Sequence, residues 1–295
     1  MSPSTPQQPH RKSRRRKAAR QLITARLADA RQAEDALARK FTPDNVHDLR
    51  VATRRLRAAL KTFRDLGDLA PRERAVKRLQ DALGEVRDLH VQGEWLDTKA
   101  RQGSTVRKTG VQSMHTRLSE ALPRRERRLR RALQHWVDQD VPDIERAARR
   151  LEGPGKYGGR RARHGLRHRL RQVERLMNDC RENLDAPTAH ELRKAVKKLR
   201  YEAELFLPAL EDGVKPLLKA LKPLQETLGE LHDADVRLEW LQDFALRGPA
   251  ARRAAARRLL KDVREERARH AGHASREFED WREKKRGRDL RARLD

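Results

Sequence analysis

The chain has 295 residues, and 71 Lys and Arg against 44 Asp and Glu leave a formal charge of +27. With a mean hydropathy of −1.00, no apolar run approaches the ~18 residues that a membrane span requires. The basic N-terminal stretch has no apolar segment behind it and does not read as a secretory signal. A lone cysteine, Cys180, excludes an internal disulfide framework and a Cys-rich zinc site. The reducing cytoplasm is the simplest compartment, and so basic a chain calls for a polyanionic partner or surface.

Residues 1–16 are rich in Pro, Ser and Gln and then basic, which reads as a disordered basic arm. From Lys17 onward apolar residues recur at spacings of three and four among Ala, Leu, Arg and Glu, so the expected fold is all-α, with nine or ten helices. Breaks are expected at Thr42–Asn45, Gly67–Pro71, Gly153–Gly159, Asp185–Thr188 and Gly248-Pro249. Pro123 is expected to kink or split its helix. The expected organisation is an N-terminal helical half over 17–152, a Gly-rich linker over 153–159, a C-terminal half over 160–283 and a basic tail over 284–295.

The two halves repeat. Val46–Phe63 (VHDLRVATRRLRAALKTF) matches Ala189–Phe206 (AHELRKAVKKLRYEAELF) at an offset of 143, and Lys77–Leu96 matches Lys222–Leu241 at an offset of 145 with 11 of 20 residues identical. Two blocks in the same order at nearly one offset indicate duplication of a helical unit of ordinary domain size. Each unit is expected to be an antiparallel bundle, the pair being related by approximate two-fold symmetry.

On a helical wheel, Val46, Leu49, Ala52, Leu56, Leu60 and Phe63 make one apolar arc. His47, Arg50, Arg54, Arg57 and Lys61, at offsets 0, 3, 7, 10 and 14, make a second. The duplicate has His190, Arg193, Lys197 and Arg200, then Glu204 where Lys61 stands, with Lys194, Lys198 and Tyr201 alongside. A solvated face of a very basic protein explains one such row. The first row lacks the interspersed acids that stabilise exposed helices, and its recurrence in the duplicate favours a bound anion. Fourteen residues of helix rise about 21 Å, long enough to follow several phosphates of a linear chain, and arginine's planar fork suits phosphate oxygens. His47 and His190 open the rows, and even a neutral imidazole donates one hydrogen bond. Their neighbours Asp48 and Glu191 are candidates to satisfy helix N-terminal amides. The repeated Leu-Gln-x-x-Leu-Gly-Glu-x-x-Asp blocks read as structural, with Gly84 and Gly229 at a helix end or crossing, Asp88 and Asp233 as caps, and Trp95 and Trp240 as core anchors.

These motif strings and the two blocks resemble the CHAD family, the conserved histidine α-helical domain, over about residues 17–283. The resemblance implies two four-helix-bundle halves with pseudo-two-fold symmetry and a basic groove or channel that binds inorganic polyphosphate, in proteins associated with polyphosphate granules. Carried over by motif, the implied contacts are His47, Arg50, Arg54, Arg55, Arg57, Lys61, His190, Arg193, Lys194, Lys197, Lys198, Arg200 and Tyr201. Glu204 breaks the symmetry of the basic row. No CYTH-type triphosphatase signature is present.

Three classes of function compete. The leading one is non-catalytic polyphosphate binding, with no cofactor. The second is non-specific nucleic-acid binding at low salt, against which stands the scarcity of aromatic residues for base stacking. The third is a scaffolding role for the long helices around 106–138 and 250–282. An enzyme is not expected. The sequence has no P-loop and no His-Glu-x-x-His, and the His164/His168 pair lies among cations rather than carboxylates.

Overall fold

The computed structural model describes residues 9, 13–102 and 105–295. The fold is all-α: among the described residues there are ten α-helices and no strand, only an isolated bridge between Arg14 and Lys156. The helices are α1 (Arg15–Arg39), α2 (Pro43–Thr62), α3 (Ala70–Arg101), α4 (Thr105–His135), α5 (Val141–Arg149), α6 (Arg160–Glu182), α7 (Ala186–Phe206), α8 (Glu211–Leu246), α9 (Ala250–Glu283) and α10 (Arg286–Ala292).

Two compact units are present. One comprises the described residues of Met1–His90 with Ala121–Arg163 and Tyr201–Glu211, the other Val91–Glu120, His164–Arg200 and Asp212–Asp295. This division differs from the contiguous halves 17–152 and 160–283. Helices α3, α4 and α7 each contribute residues to both units, so a boundary cannot coincide with the loops that punctuate the sequence.

Helix punctuation was legible at α2. The Thr42 hydroxyl accepts the Asn45 N–H at 3.2 Å, and Pro43 follows as the first helical residue. At α7 the Asp185 carboxylate accepts the Thr188 N–H at 2.8 Å, and hydrogen bonding from the Thr188 side chain first, then from that N–H, lowers its pKa. Pro123 does not split α4, which continues to His135. The irregularity comes later, as a π-helical turn over Trp136–Asp140 just before Pro142, a residue that has no amide hydrogen to give.

The core of the first unit is built on apolar stripes of α1 and α2, with Ile23, Leu27 and Leu37 against Leu49, Leu56, Leu60 and Phe63, all buried. Phe63 meets Phe206 edge to face at 6.2 Å, and Phe206 also contacts the Tyr157 ring at 5.9 Å. Burial pushes the Tyr157 phenol up, so it stays protonated and donates to the Leu205 carbonyl.

Both ends of the described chain carry ordered structure. Most of the 1–16 arm lies outside the described residues, but Arg15 begins α1 and is buried, with its guanidinium forked onto Asp65 at 2.7 and 2.8 Å. The Gly-rich 153–159 segment is tied to the start of α1. Arg15 donates its backbone N–H to the Gly155 carbonyl at 2.9 Å, and Tyr157 donates to Ser13 at 3.0 Å. Gly158 has φ +69, and a Cβ there would lie 2.6 Å from the Ala209 Cβ. The 284–295 tail contains α10, whose Leu290 is buried together with Leu294, and Arg291 pairs with Glu174.

Replacing Tyr157 with Phe keeps the ring contact and strands a buried carbonyl. Urea unfolding should show a loss of about 1–2 kcal/mol. An unchanged midpoint would mean that the phenolic bond contributes nothing to stability.

Candidate functional site

The chemistry of α2 follows from its packing. Leu49, Leu56, Leu60 and Phe63 are fully buried, which fixes the rotation of the helix. Arg50, Arg54, Arg55 and Arg57 are left half-buried beside that face, with His47 and Lys61 exposed at its ends. Helix α7 repeats the arrangement. Leu192, Leu199 and Phe206 are buried, His190, Arg193, Lys194, Lys197, Arg200 and Tyr201 are half-buried, and Lys198 is exposed. His47 and His190 are each the fifth residue of their helix. The capping is done by Thr42 and Asp185, so the cap role considered for Asp48 and Glu191 is corrected. Glu191 pairs with Lys194 instead.

The structure divides the thirteen sequence candidates between the units. His47, Arg50, Arg54, Arg55, Arg57, Lys61 and Tyr201 belong to the first, and His190, Arg193, Lys194, Lys197, Lys198 and Arg200 to the second.

The α2 row contains no acid of its own, but other elements supply some. Arg57 Nε lies 2.6 Å from Glu73 on α3, and Arg55 Nε lies 3.4 Å from Glu204. Part of the mutual repulsion is therefore offset inside the protein. Spacing along one helix could not reveal these acids, because they stand 16 and 149 residues away (73 − 57 and 204 − 55).

The repeated blocks on α3 and α8 are closer to the cationic rows than their sequence suggested. Gln80 accepts from Arg57 Nη1 at 3.4 Å, and Gln225 accepts from Arg200 Nη1 at 2.9 Å. Helices α3 and α8 run without a break through Gly84 and Gly229, so these glycines end no helix and Asp88 and Asp233 cap none. The adjoining glutamates are structural. Glu85 binds Arg125 and Arg128 at 2.8 and 2.7 Å, and Glu230 meets His270 at 3.2 Å. Trp95 is buried, with Arg237 stacked 5.3 Å from its ring, whereas Trp240 is only half-buried against Phe244.

His232 on α8 lies 5.0 Å from His190, ring to ring. Burial is the main cause of a pKa lowered to about 4, with Arg193, His190 and Lys197 adding positive charge. The His190 pKa is lowered too, first by burial and then by Lys194 and Arg193. His232 stands at the repeat position of Arg87, and nothing in the sequence shows that the His190 and His232 rings meet. No group of three or more His, Cys, Asp or Glu is placed to hold a metal among the described residues. No helix is long and apolar enough to cross a membrane among them. Burial raises the Cys180 thiol to about 12, so it stays protonated and weakly reactive.

The depressed pKa of His232 has a consequence for stability. Above the ordinary histidine value of 6.5 the ring is neutral whether the chain is folded or not. As pH falls below that value, the unfolded chain takes up the proton first, so stability is lost until the folded ring itself titrates near pH 4. Chemical unfolding at pH 7 and at about pH 5 should show a smaller acid loss for His232→Gln than for wild type. Equal losses would mean that the ring titrates normally.

Comparison with known proteins gives one family and solved structures of the same fold. The family model described as "CHAD domain" matches residues 21–242. The crystal structure of the CHAD domain from the plant Ricinus communis superposes with a TM-score of 0.67 at 22% identity, covering 94% of this chain and 96% of that one. PptA from Streptomyces chartreusis superposes at 0.64 and 18% identity, covering 91% and 100%. No curated protein sequence matches the chain. A half-buried row of cations is repeated on two helices, each beside a Leu-Gln-x-x-Leu-Gly-Glu helix, and the family match covers three-quarters of the residues. On these grounds the chain belongs to the CHAD domain family.

Proposed function

We propose that the protein binds inorganic polyphosphate without a catalytic step, through the cations of α2 and α7, and that this binding directs it to polyphosphate granules in the cytoplasm. Membership of the CHAD family supports a polyphosphate-binding role in general. The observation that carries the finer reading is the pair of arginine and lysine rows, each held in one orientation by a buried apolar face. Side chains already ordered on a packed helix lose little entropy on binding. The contacts are His47, Arg50, Arg54, Arg55, Arg57 and Lys61 on α2, with His190, Arg193, Lys194, Lys197, Lys198, Arg200 and Tyr201 on α7. Neutralising successive phosphates releases counterions, so affinity falls steeply with salt.

Site and bulk charge are separable. Reversing Arg50, Arg54 and Arg193 to Glu should reduce the slope of log affinity against log salt by roughly 2, at about 0.7 per lost contact. The control reverses Arg124, Arg127 and Arg131, three exposed arginines of α4, and should lose far less. Arg15 is unsuitable as a control because it anchors Asp65. Equal losses would show that total charge governs binding. Competition with DNA at physiological salt completes the test, and a preference for DNA would favour the nucleic-acid reading.

The imidazole pair gives a second expectation. A bound polyanion opposes the positive field around His190 and His232 and raises their pKa values, so binding takes up protons and affinity rises as pH falls. Titration at fixed ionic strength between about pH 8 and pH 5 should show this rise in wild type and a flatter profile in His190→Gln with His232→Gln. A full pH dependence in the double variant would remove both rings from the binding account.

A further inference from the structure

The cationic rows have a facing surface that the motif does not include. In each unit the block helix runs antiparallel to its motif helix. In the first, Arg57 reaches Gln80, while Arg50, two turns earlier, lies beside Gly84, one turn later. In the second, Arg200 reaches Gln225, while His190, near the start of α7, lies beside His232, two turns later. Gly229 falls between Gln225 and His232 along α8. Gln80, Gly84 and Arg87 have the same spacing as Gln225, Gly229 and His232, so the same three-residue face occurs twice.

Glycine weakens the interior of a helix relative to alanine, and both glycines are interior. Helix packing does not explain them. A Cβ at Gly229 would meet nothing within 4 Å, and at Gly84 the nearest atom would be Arg50 Nε at 4.0 Å. The contrast is Gly110, where a Cβ would fall 2.4 Å from the Ala255 Cβ and close packing demands glycine. Two unforced helix-weakening residues at matching positions, on the helices whose glutamines meet the motif arginines, are accounted for by something that approaches the backbone from outside the folded chain.

We propose that α3 and α8 form a second wall of each anion site, with Gly84 and Gly229 giving clearance for a phosphate group to lie against bare helix backbone, Arg87 and His232 contacting the next phosphate, and Gln80 and Gln225 positioning Arg57 and Arg200. An amide oxygen orients a guanidinium without cancelling its charge, as a carboxylate would. The proposal rests on the polyphosphate reading and extends it to residues outside the histidine–arginine motif.

The test is Gly84→Ala with Gly229→Ala, measured by thermal unfolding and by titration with a linear polyphosphate. The added methyl groups clash with nothing and favour the helix, so the melting temperature should hold or rise. They fill the clearance, so affinity should fall at least about fivefold. Gly272→Ala in α9, also unobstructed, with Arg276 Nη1 3.7 Å from its Cβ, should match the stability gain and keep wild-type affinity. Arg87→Gln with His232→Gln should lower the salt slope while the melting temperature holds. Wild-type affinity in the glycine pair overturns the second wall, as does a lower melting temperature, which would assign the glycines to packing. If affinity still falls in Arg50, Arg54 and Arg193 reversed to Glu, the polyphosphate reading stands without the second wall. If the folded wild-type protein does not bind polyphosphate at all, the reading itself fails.

Discussion

Repulsion among like charges on one helix face is the constraint to which the rest of the structure responds. Cations three and four residues apart stand close enough to destabilise an isolated helix. Helix α2 tolerates His47, Arg50, Arg54, Arg57 and Lys61 because its adjoining face buries Leu49, Leu56, Leu60 and Phe63. Each fully buried side chain of this kind contributes about 1.5–3 kcal/mol, against a few tenths for each like-charge pair. Packing therefore wins by a wide margin, and it also fixes the direction in which the cations point. Fold and binding surface are consequences of the same periodicity.

The ends of the sequence repeat are secured by another route. Asp65, in the turn after α2, takes the forked guanidinium of Arg15 and lies 3.2 Å from Arg161. Those hydrogen bonds and nearby charges hold its carboxyl below the usual range, with Arg15 the largest cause. One carboxylate thus joins the start of α1, the end of α2 and the start of α6 within a single unit. Tyr157 and the Gly155 carbonyl close the same region. Cations that read as surplus basic charge in the sequence are structural here. Net charge therefore overstates the charge available to a ligand.

What was legible in the sequence was whatever local periodicity or repetition encodes. The burial of Leu49, Leu56, Phe63, Leu192, Leu199 and Phe206 follows from spacing alone, and the break at Thr42–Asn45 follows from its turn residues. The Arg15 pairing was not legible, because its partner is fifty residues away and nothing in the basic arm distinguishes one arginine from the next. The tail hid α10 for a similar reason, since two leucines among arginines are too few to set a period. Gly84 and Gly229 were misread because a glycine in a helical pattern usually marks an end. Here the flanking apolar residues, Leu83 and Val86 around one and Leu228 and Leu231 around the other, stay in phase and buried, and the helices run on.

Where the repeats differ is as informative as where they agree. Glu204 stands at the position of Lys61 and shortens the α7 row, yet within the first unit it lies against Arg55 and offsets charge on α2. Glu73 does the same for Arg57, and the position aligned with it in the second repeat is Leu218. Both acids reach α2 in its second half. The N-terminal half, with His47, Arg50 and Arg54, also carries the partial positive charge of the helix terminus, which is strongest in the first turn. Asp44 in the first turn and Asp48 beside His47 answer that terminal charge, so acids of α2 itself serve its N-terminal end while Glu73 and Glu204 reach its second half from other elements. Gln80 meanwhile orients Arg57 at the far end of the row without adding a further negative charge, which leaves its guanidinium charge to be offset by Glu73.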